Sequence, residues 1–164
     1  MVAEFAGWGD PVARLVTSLP EWATLVLSKR QTYERLEGHV AVPRIFDAEA
    51  PLPCYAKPDI GSGSRGGFLV ETAQDLDLAR RRSLLVHELL PGPEYTVDCL
   101  SGFDGALMFA NVRVRGQVAR GISVGTTGLR HADIEDSVRR IAARIPLRGP
   151  WFARSRSTPA SPAR

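Results

Sequence analysis

In the stretch AKPDIGSGSRGGFLV, residues 56–70, four glycines and two serines separate a lysine-bearing apolar segment from a second apolar segment. Gly61 to Gly66 spell G-x-G-x-x-G, and the flanking segments decide what such a turn can be. A dinucleotide-binding turn runs straight into a helix whose first amides hold the pyrophosphate. Here Phe68-Leu69-Val70 follows, a strand-like run. A loop of the G-x-x-x-x-G-K-[ST] kind ends in lysine, and position 67 is glycine. A protein kinase places its lysine after the glycine loop and adds H-R-D and D-F-G motifs. This chain has Lys57 before the loop and neither motif. What is left is a strand with a lysine, a glycine-rich hairpin turn and a second strand. Its backbone amides can approach phosphates because no side chain blocks them, and the lysine adds a point charge.

The flanking sequence supplies alternating helices and strands. Ser28 is a candidate N-cap for KRQTYERLEGH, a short helix ended by Gly38. Val40 to Val42 reads as a short strand stopped by Pro43, and Cys54 to Ala56 as a strand leading into the glycine turn. Thr72 is a candidate cap for a helix through Arg82, with Ala73, Leu76 and Ala79 at helical spacing. An apolar strand, Leu84 to His87, precedes the turn LLPGP. Glu94 to Ser101 alternates and, with Ala106 to Val114, predicts an antiparallel hairpin. Asp133 to Ile145 predicts an amphipathic helix with Ile134, Val138 and Ile141 on one side. Room remains for a helix over Pro11–Ser18, and WFARSRSTPASPAR reads as a disordered basic tail.

Three segments together resemble the ATP-grasp superfamily, nearest to its carbamoyl-phosphate synthase large-subunit and biotin-carboxylase type. They are SKRQTYERLEGHVAVPR, AKPDIGSGSRGGFLV and LLVHELLPGPEYTVDCL. The last is similar to the hinge between the two subdomains that sandwich ATP, and its E-x-x-x-G-x-E spacing from Glu88 to Glu94 is more specific than the glycine turn. The resemblance implies an α+β ATP-grasp fold across residues 29–150, with a glycine-loop subdomain over about 53–90 and part of a C-terminal subdomain over 91–150. Only an N-terminal segment, residues 1–28, precedes these segments, so the chain is expected to lack the Rossmann-like domain the family carries upstream, and 151–164 form the tail.

It further implies ATP as ligand. Lys29 and Lys57 would contact its phosphates, and Gly61, Ser62, Gly63, Ser64, Arg65, Gly66 and Gly67 would fold over them. Glu88 with the backbone of Leu89 and Leu90 would take the adenine edge, and Glu94 the ribose hydroxyls. Arg120, with Arg113 and Arg115 behind it, is a candidate for holding an acyl-phosphate or carboxylate, because guanidinium forks suit such anions. The implied activity is that of a carboxylate–amine ligase working through an acyl-phosphate, on a carboxylate the sequence does not name. The family's Mg²⁺ is expected too, but its acidic ligands follow the last helix, and no Asp or Glu follows Asp136 here. The chain is therefore expected to bind nucleotide with weak or no activity alone. The alternative is a non-catalytic nucleotide-binding or interaction subunit that completes its site with a partner chain or a second copy.

Charge and cysteine content narrow the remaining classes. Seven of the 19 arginines lie beyond Asp136, so the net charge of +3 belongs to the C-terminal end. Without aromatic interleaving beyond Trp151 and Phe152, that end gives little support to nucleic-acid binding. No run is long and apolar enough for a membrane span. Cys54 and Cys99 have no metal-ligand spacing and read as buried thiols of a cytoplasmic protein. His39, His87 and His131 form no ligand set, and ordinary packing or surface roles are expected for them.

Overall fold

The structure, a computed structural model, describes residues 17–61, 65–115, 118–119, 122–123 and 125–156. It is α+β, and its strands pair antiparallel. Helix α1 (Pro20–Leu25) opens with proline at its first position, where the missing N–H costs nothing. Helix α2 (Lys29–Leu36) starts at Ser28, whose Oγ accepts a 3.1 Å hydrogen bond from the Gln31 N–H. The expected helix over Pro11–Ser18 falls almost wholly outside the described residues.

Strands β1 (Cys54–Lys57), β2 (Phe68–Val70) and β3 (Leu85–Glu88) make one sheet in the order β2-β1-β3. Period-two alternation turns Cys54 and Ala56 to one side with Val70 and Val86. Helix α3 (Ala73–Arg81) covers that side through Ala79 and Leu76. A capping box starts it, with the Thr72 side chain accepting from the Asp75 N–H and the Asp75 carboxylate accepting from the Thr72 N–H. Tyr55, Lys57 and His87 are left on the opposite side of the sheet.

The strand expected at Val40–Val42 does not form. Val40 and Val42 pack instead beside Leu36, Ile145 and Leu147. Pairing with β3 starts only past Pro43, which lacks an N–H, through an isolated bridge from Ile45 to His87.

The second sheet is built from β4 (Glu94–Ser101) and β5 (Leu107–Arg115), the predicted hairpin. After a short ribbon of β6 (Val118–Ala119) and β7 (Ile122–Ser123), β8 (Thr126–Leu129) pairs with β5. Helix α4 (Ala132–Arg144) seals one side, packing Ile134 and Val138 on Val97, Cys99 and Val112.

The tail expectation is corrected from its first residues. Gly149–Arg156 forms β9, which pairs with all of β4, from Glu94↔Arg156 to Ser101↔Gly149, and gives the sheet order β8-β5-β4-β9. An arginine-rich composition had hidden a period of two. Trp151, Ala153 and Ser155 are half-buried, whereas Phe152, Arg154 and Arg156 are exposed. Trp151 and Ala153 pack on the α4 side, and the Trp151 indole N–H donates to the buried Ser101 hydroxyl at 2.9 Å. No helix among the described residues is long and apolar enough to cross a membrane.

Candidate functional site

The start of the glycine turn is clamped to the N-terminus of α2. Asp59 takes the place of a capping anion: its carboxylate accepts from the Arg30 N–H and from the Ser28 hydroxyl, both at 2.7 Å. Burial pushes the Asp59 carboxyl up, but these hydrogen bonds and the charges of Lys29 and Arg30 outweigh it and hold the group below its ordinary value. Lys29 Nζ donates to the carbonyls of Asp59 (2.7 Å) and Gly61 (3.1 Å), which ties the base of the loop down. Its pKa is lowered by burial, with Asp59 opposing.

Lys57 stands on the side of the first sheet that α3 leaves open. Its Nζ donates to the Tyr33 hydroxyl of α2 at 2.8 Å. Burial first, then the positive charges of Lys29 and Arg156, lower its pKa to about 8, against the opposing pull of Glu94. Lys57 is thus the point where charge from the loop base and charge from β9 meet. Burial, followed by the Asp59 charge, pushes the Tyr33 phenol up.

The far side of the loop presses on this strand. Gly66 has φ +75°, and a Cβ there would lie 3.2 Å from the Pro58 ring. A Cβ on Gly67 would lie 2.8 Å from the Tyr55 hydroxyl. Arg65 is exposed. Ser62, Gly63 and Ser64, expected over the phosphates, lie outside the described residues.

The hinge positions carry partners of their own. The Glu88 side chain accepts from the Arg44 N–H at 3.1 Å, and the Glu88 N–H donates to the Arg44 carbonyl at 2.9 Å. Leu90 offers its carbonyl to Arg156 at 3.1 Å, and the Leu89 backbone precedes it without a regular ladder. Glu94 is ion-paired with Arg156 (3.1 Å) and Arg154 (3.8 Å). Arg113 is engaged with Asp98 across the β4–β5 pair at 2.6 and 3.1 Å. Arg120 lies outside the described residues.

Three residues that sequence reading gave no role stand here. His87 is 6% exposed and sits opposite Tyr55 in the register, on the Lys57 side. Its Nδ1 bonds the Glu88 carbonyl at 2.7 Å, while its buried Nε2 has no hydrogen-bond partner among the described residues. Burial and then the Lys57 charge lower its pKa to about 4, so the ring is neutral and Nε2 is an acceptor. The alternation of the strand, counted from Lys57 across the pair, was the available signal. Arg154 and Arg156 are the other two, and the alternation of β9 would have placed them with Glu94.

A divalent cation does not fit this donor set. Among the described residues no three His, Cys, Asp or Glu side chains group to hold a metal, and Glu94 is neutralised by two guanidinium groups. A shallow hollow lined by His39, Asp133, Asp136 and Arg140 includes none of the residues above.

The sequence profile of the ATP-grasp domain matches residues 26–149. No curated protein sequence matches the chain. Solved structures do. L-amino acid ligase from Bacillus licheniformis superposes with a TM-score of 0.65 at 16% identity, over 84% of this chain and 38% of that one. The D-Ala:D-Ser ligase VanG from Enterococcus faecalis gives 0.68 at 16% identity, over 88% and 52%. Carboxyaminoimidazole ribonucleotide synthase from Aspergillus clavatus, in complex with ATP, gives 0.65 at 15% identity, over 93% and 45%. The likeness is one of fold, and the chain spans about half the length of these proteins or less.

Proposed function

The chain belongs to the ATP-grasp domain family, and from that premise we propose that it binds ATP between its lysine strand and its hinge, as a domain of the carboxylate–amine ligase type related to carbamoyl-phosphate synthase. The observation that carries the reading is Lys57, half-buried beside Tyr33 at the mouth of a glycine turn and under the field of Lys29 and Arg156. A half-buried ammonium with two further cations near it suits a polyanion.

In this reading the turn from Gly61 to Gly67 covers the phosphates and Lys57 meets them directly. Lys29 keeps the loop base in place with two of its three N–H donors and has one left for phosphate. The Leu89 and Leu90 backbone takes the adenine edge, and the orphaned His87 Nε2 accepts from the exocyclic amino group. Glu94 reaches the ribose once Arg156 moves. Residues 53–90 act as the glycine-loop subdomain and those from 91 onward as its counterpart.

In the complete reaction a carboxylate oxygen attacks the γ-phosphorus, the bond to the β-phosphate breaks, and ADP leaves behind an acyl-phosphate. A nucleophile, held with the acyl group near Arg120, then displaces the phosphate. Charge gathering on the transferred phosphoryl group ordinarily calls for Mg²⁺, which the residues described do not suit, so this chain holds nucleotide and turns it over slowly or not at all. Its buried free thiols are in keeping with a reducing cytoplasm, that of Cys99 being pushed up to about 12 by burial.

Titration calorimetry of ATP against the wild-type chain and Lys57→Ala tests the reading. Loss of about tenfold or more in affinity is expected for the variant, the size of one charge-assisted contact. Equal affinity for both would remove Lys57 from the site.

One observation favours a second reading, a nucleotide-binding subunit completed by a partner. Among the described residues β9 ends its sheet, so its outer edge can take a strand from another chain. Light scattering that finds a stable monomer, with ATP and without, would count against it.

A further inference from the structure

We propose that Arg154 and Arg156 of β9, together with Lys57, form a metal-free clamp for the polyphosphate of a nucleoside triphosphate, the two guanidinium groups supplying the charge that a divalent cation supplies elsewhere. The inference rests on the ATP reading above and adds to it how the phosphates are neutralised.

The register makes the case. Arg156 lies opposite Glu94 and Arg154 opposite Thr96, so the two arginines and Glu94 share the side of the second sheet that faces away from α4. Two residues apart on one strand, their α-carbons are about 7 Å apart, which lets two forks bracket a chain of phosphates. Arg156 also reaches back to the Leu90 carbonyl, at the end of the hinge that follows the Lys57 sheet. That contact ties the end of β9 to the hinge. Among the described residues of the site, the cations Lys29, Lys57, Arg154 and Arg156 outnumber the carboxylates Asp59, Glu88 and Glu94, a surplus that disfavours a metal ion and favours an anion.

In the unliganded chain the arginines are parked on Glu94. Their side chains stay 39% and 45% exposed, and ion pairs open to solvent to that extent are weak. Exchanging Glu94 for a phosphate that carries more charge is therefore favourable. One movement takes Arg156 from the Glu94 carboxylate to the phosphate. Mg²⁺ opposes this clamp, because its complex with ATP has two fewer negative charges for the guanidinium groups to meet.

Calorimetry with the full chain tests this using two probes, ATP and inorganic tripolyphosphate, each in EDTA and in excess Mg²⁺. Expected are ATP binding in EDTA, weaker binding in Mg²⁺, and about tenfold loss in EDTA for each of Arg154→Ala and Arg156→Ala, one charge-assisted contact apiece. The double variant Arg154→Lys/Arg156→Lys keeps the charge and retains most of the affinity. Circular dichroism of every variant separates lost contacts from a lost strand. ATP binding that requires Mg²⁺, or that survives both alanine substitutions, overturns the clamp and leaves the ATP reading standing. Tripolyphosphate bound as tightly as ATP, with the same arginine dependence, upholds the clamp and removes the nucleoside from the reading. Absence of binding by both probes in EDTA overturns the clamp outright.

Discussion

Lys57 carries a prediction that can be worked to a number. Its pKa is about 8, against 10.5 for a lysine in water, because burial and two neighbouring cations disfavour its charge. A phosphate placed against the ammonium favours the charge and returns the pKa toward its ordinary value. Binding then needs the proton, so affinity is full below the lowered pKa and declines as pH rises through it. From pH 7.5 to 9 the protonated share of the unliganded lysine falls from about three-quarters to about one-tenth, an eightfold loss of affinity of about 1.2 kcal/mol. The terminal phosphate of ATP completes its own last ionisation below this range for the most part, and the Lys57→Arg control carries whatever part of the change remains. Calorimetry at four pH values in buffers of different ionisation enthalpy gives the affinity and the proton count together. At pH 8 about half a proton is taken up per ATP bound. Lys57→Arg, whose guanidinium stays charged throughout, should show neither the decline nor the uptake. A flat wild-type profile, or an equal decline in Lys57→Arg, refutes the coupling.

Four further outcomes follow from the fold. His87 has a pKa of about 4 in the fold and 6.5 when exposed, so the unfolded chain binds a proton that the folded one refuses. Stability is accordingly lost as pH falls from 6.5 toward 4, by about 3 kcal/mol at the limit. Urea midpoints at the two ends should differ by less in His87→Gln, and an equal difference would exonerate the ring. Trp151→Phe leaves the Ser101 hydroxyl buried without its indole donor and should cost about 1–2 kcal/mol. Amide exchange over Trp151–Arg156 should be slow as well, and exchange at the unprotected rate would dissolve β9. Gly105 has φ +83°, and a Cβ there would stand 2.6 Å from the Pro146 Cβ. Gly105→Ala should therefore lower the thermal midpoint, at a cost of about 1–3 kcal/mol, and an unchanged midpoint would contradict the packing.

Local chemistry made much of this fold legible. Ser28 and Thr72 cap α2 and α3 as their spacing predicts, and α3 and the β4–β5 hairpin follow their periodicity. Chemistry that depends on a partner strand was less visible. Val40–Val42 has the composition of a strand, yet its apolar side chains are used by the third core cluster, and Pro43 delays pairing until Ile45. In β9 the six residues WFARSR alternate correctly, but counting arginines and serines concealed the alternation. The site was legible in the same uneven way. The lysine strand and the turn announce themselves, whereas the choice between His87 and Glu88 depends on which side of β3 faces Lys57. Spacing places Glu88 at the hinge, but the register turns its carboxylate to the Arg44 backbone and leaves His87 beside the lysine.

The two lysines show how alike residues come to do different work. Each is rare in a chain rich in arginine, and each lies near the turn. Lys29 is the first residue of α2, where a positive charge meets the unfavourable end of the helix dipole. It is tolerated because Asp59 stands at that same end and two carbonyls take its N–H groups. Its charge is therefore largely spoken for by the fold. Lys57 has a neutral phenol as its hydrogen-bond partner, and its nearest opposing carboxylate, Glu94, is already shared by two arginines. Burial, with the Lys29 and Arg156 charges behind it, outweighs the pull of Glu94, which is why its pKa falls to about 8. A charge held without compensation is a cost to the unliganded fold and a gain on meeting an anion. On the proposed reading the same applies to β9, whose Arg154 and Arg156 stand where the family resemblance leads one to expect acids. On the proposed reading, strand and lysine together answer to phosphate charge, so ligand charge should govern affinity more strongly than ligand shape.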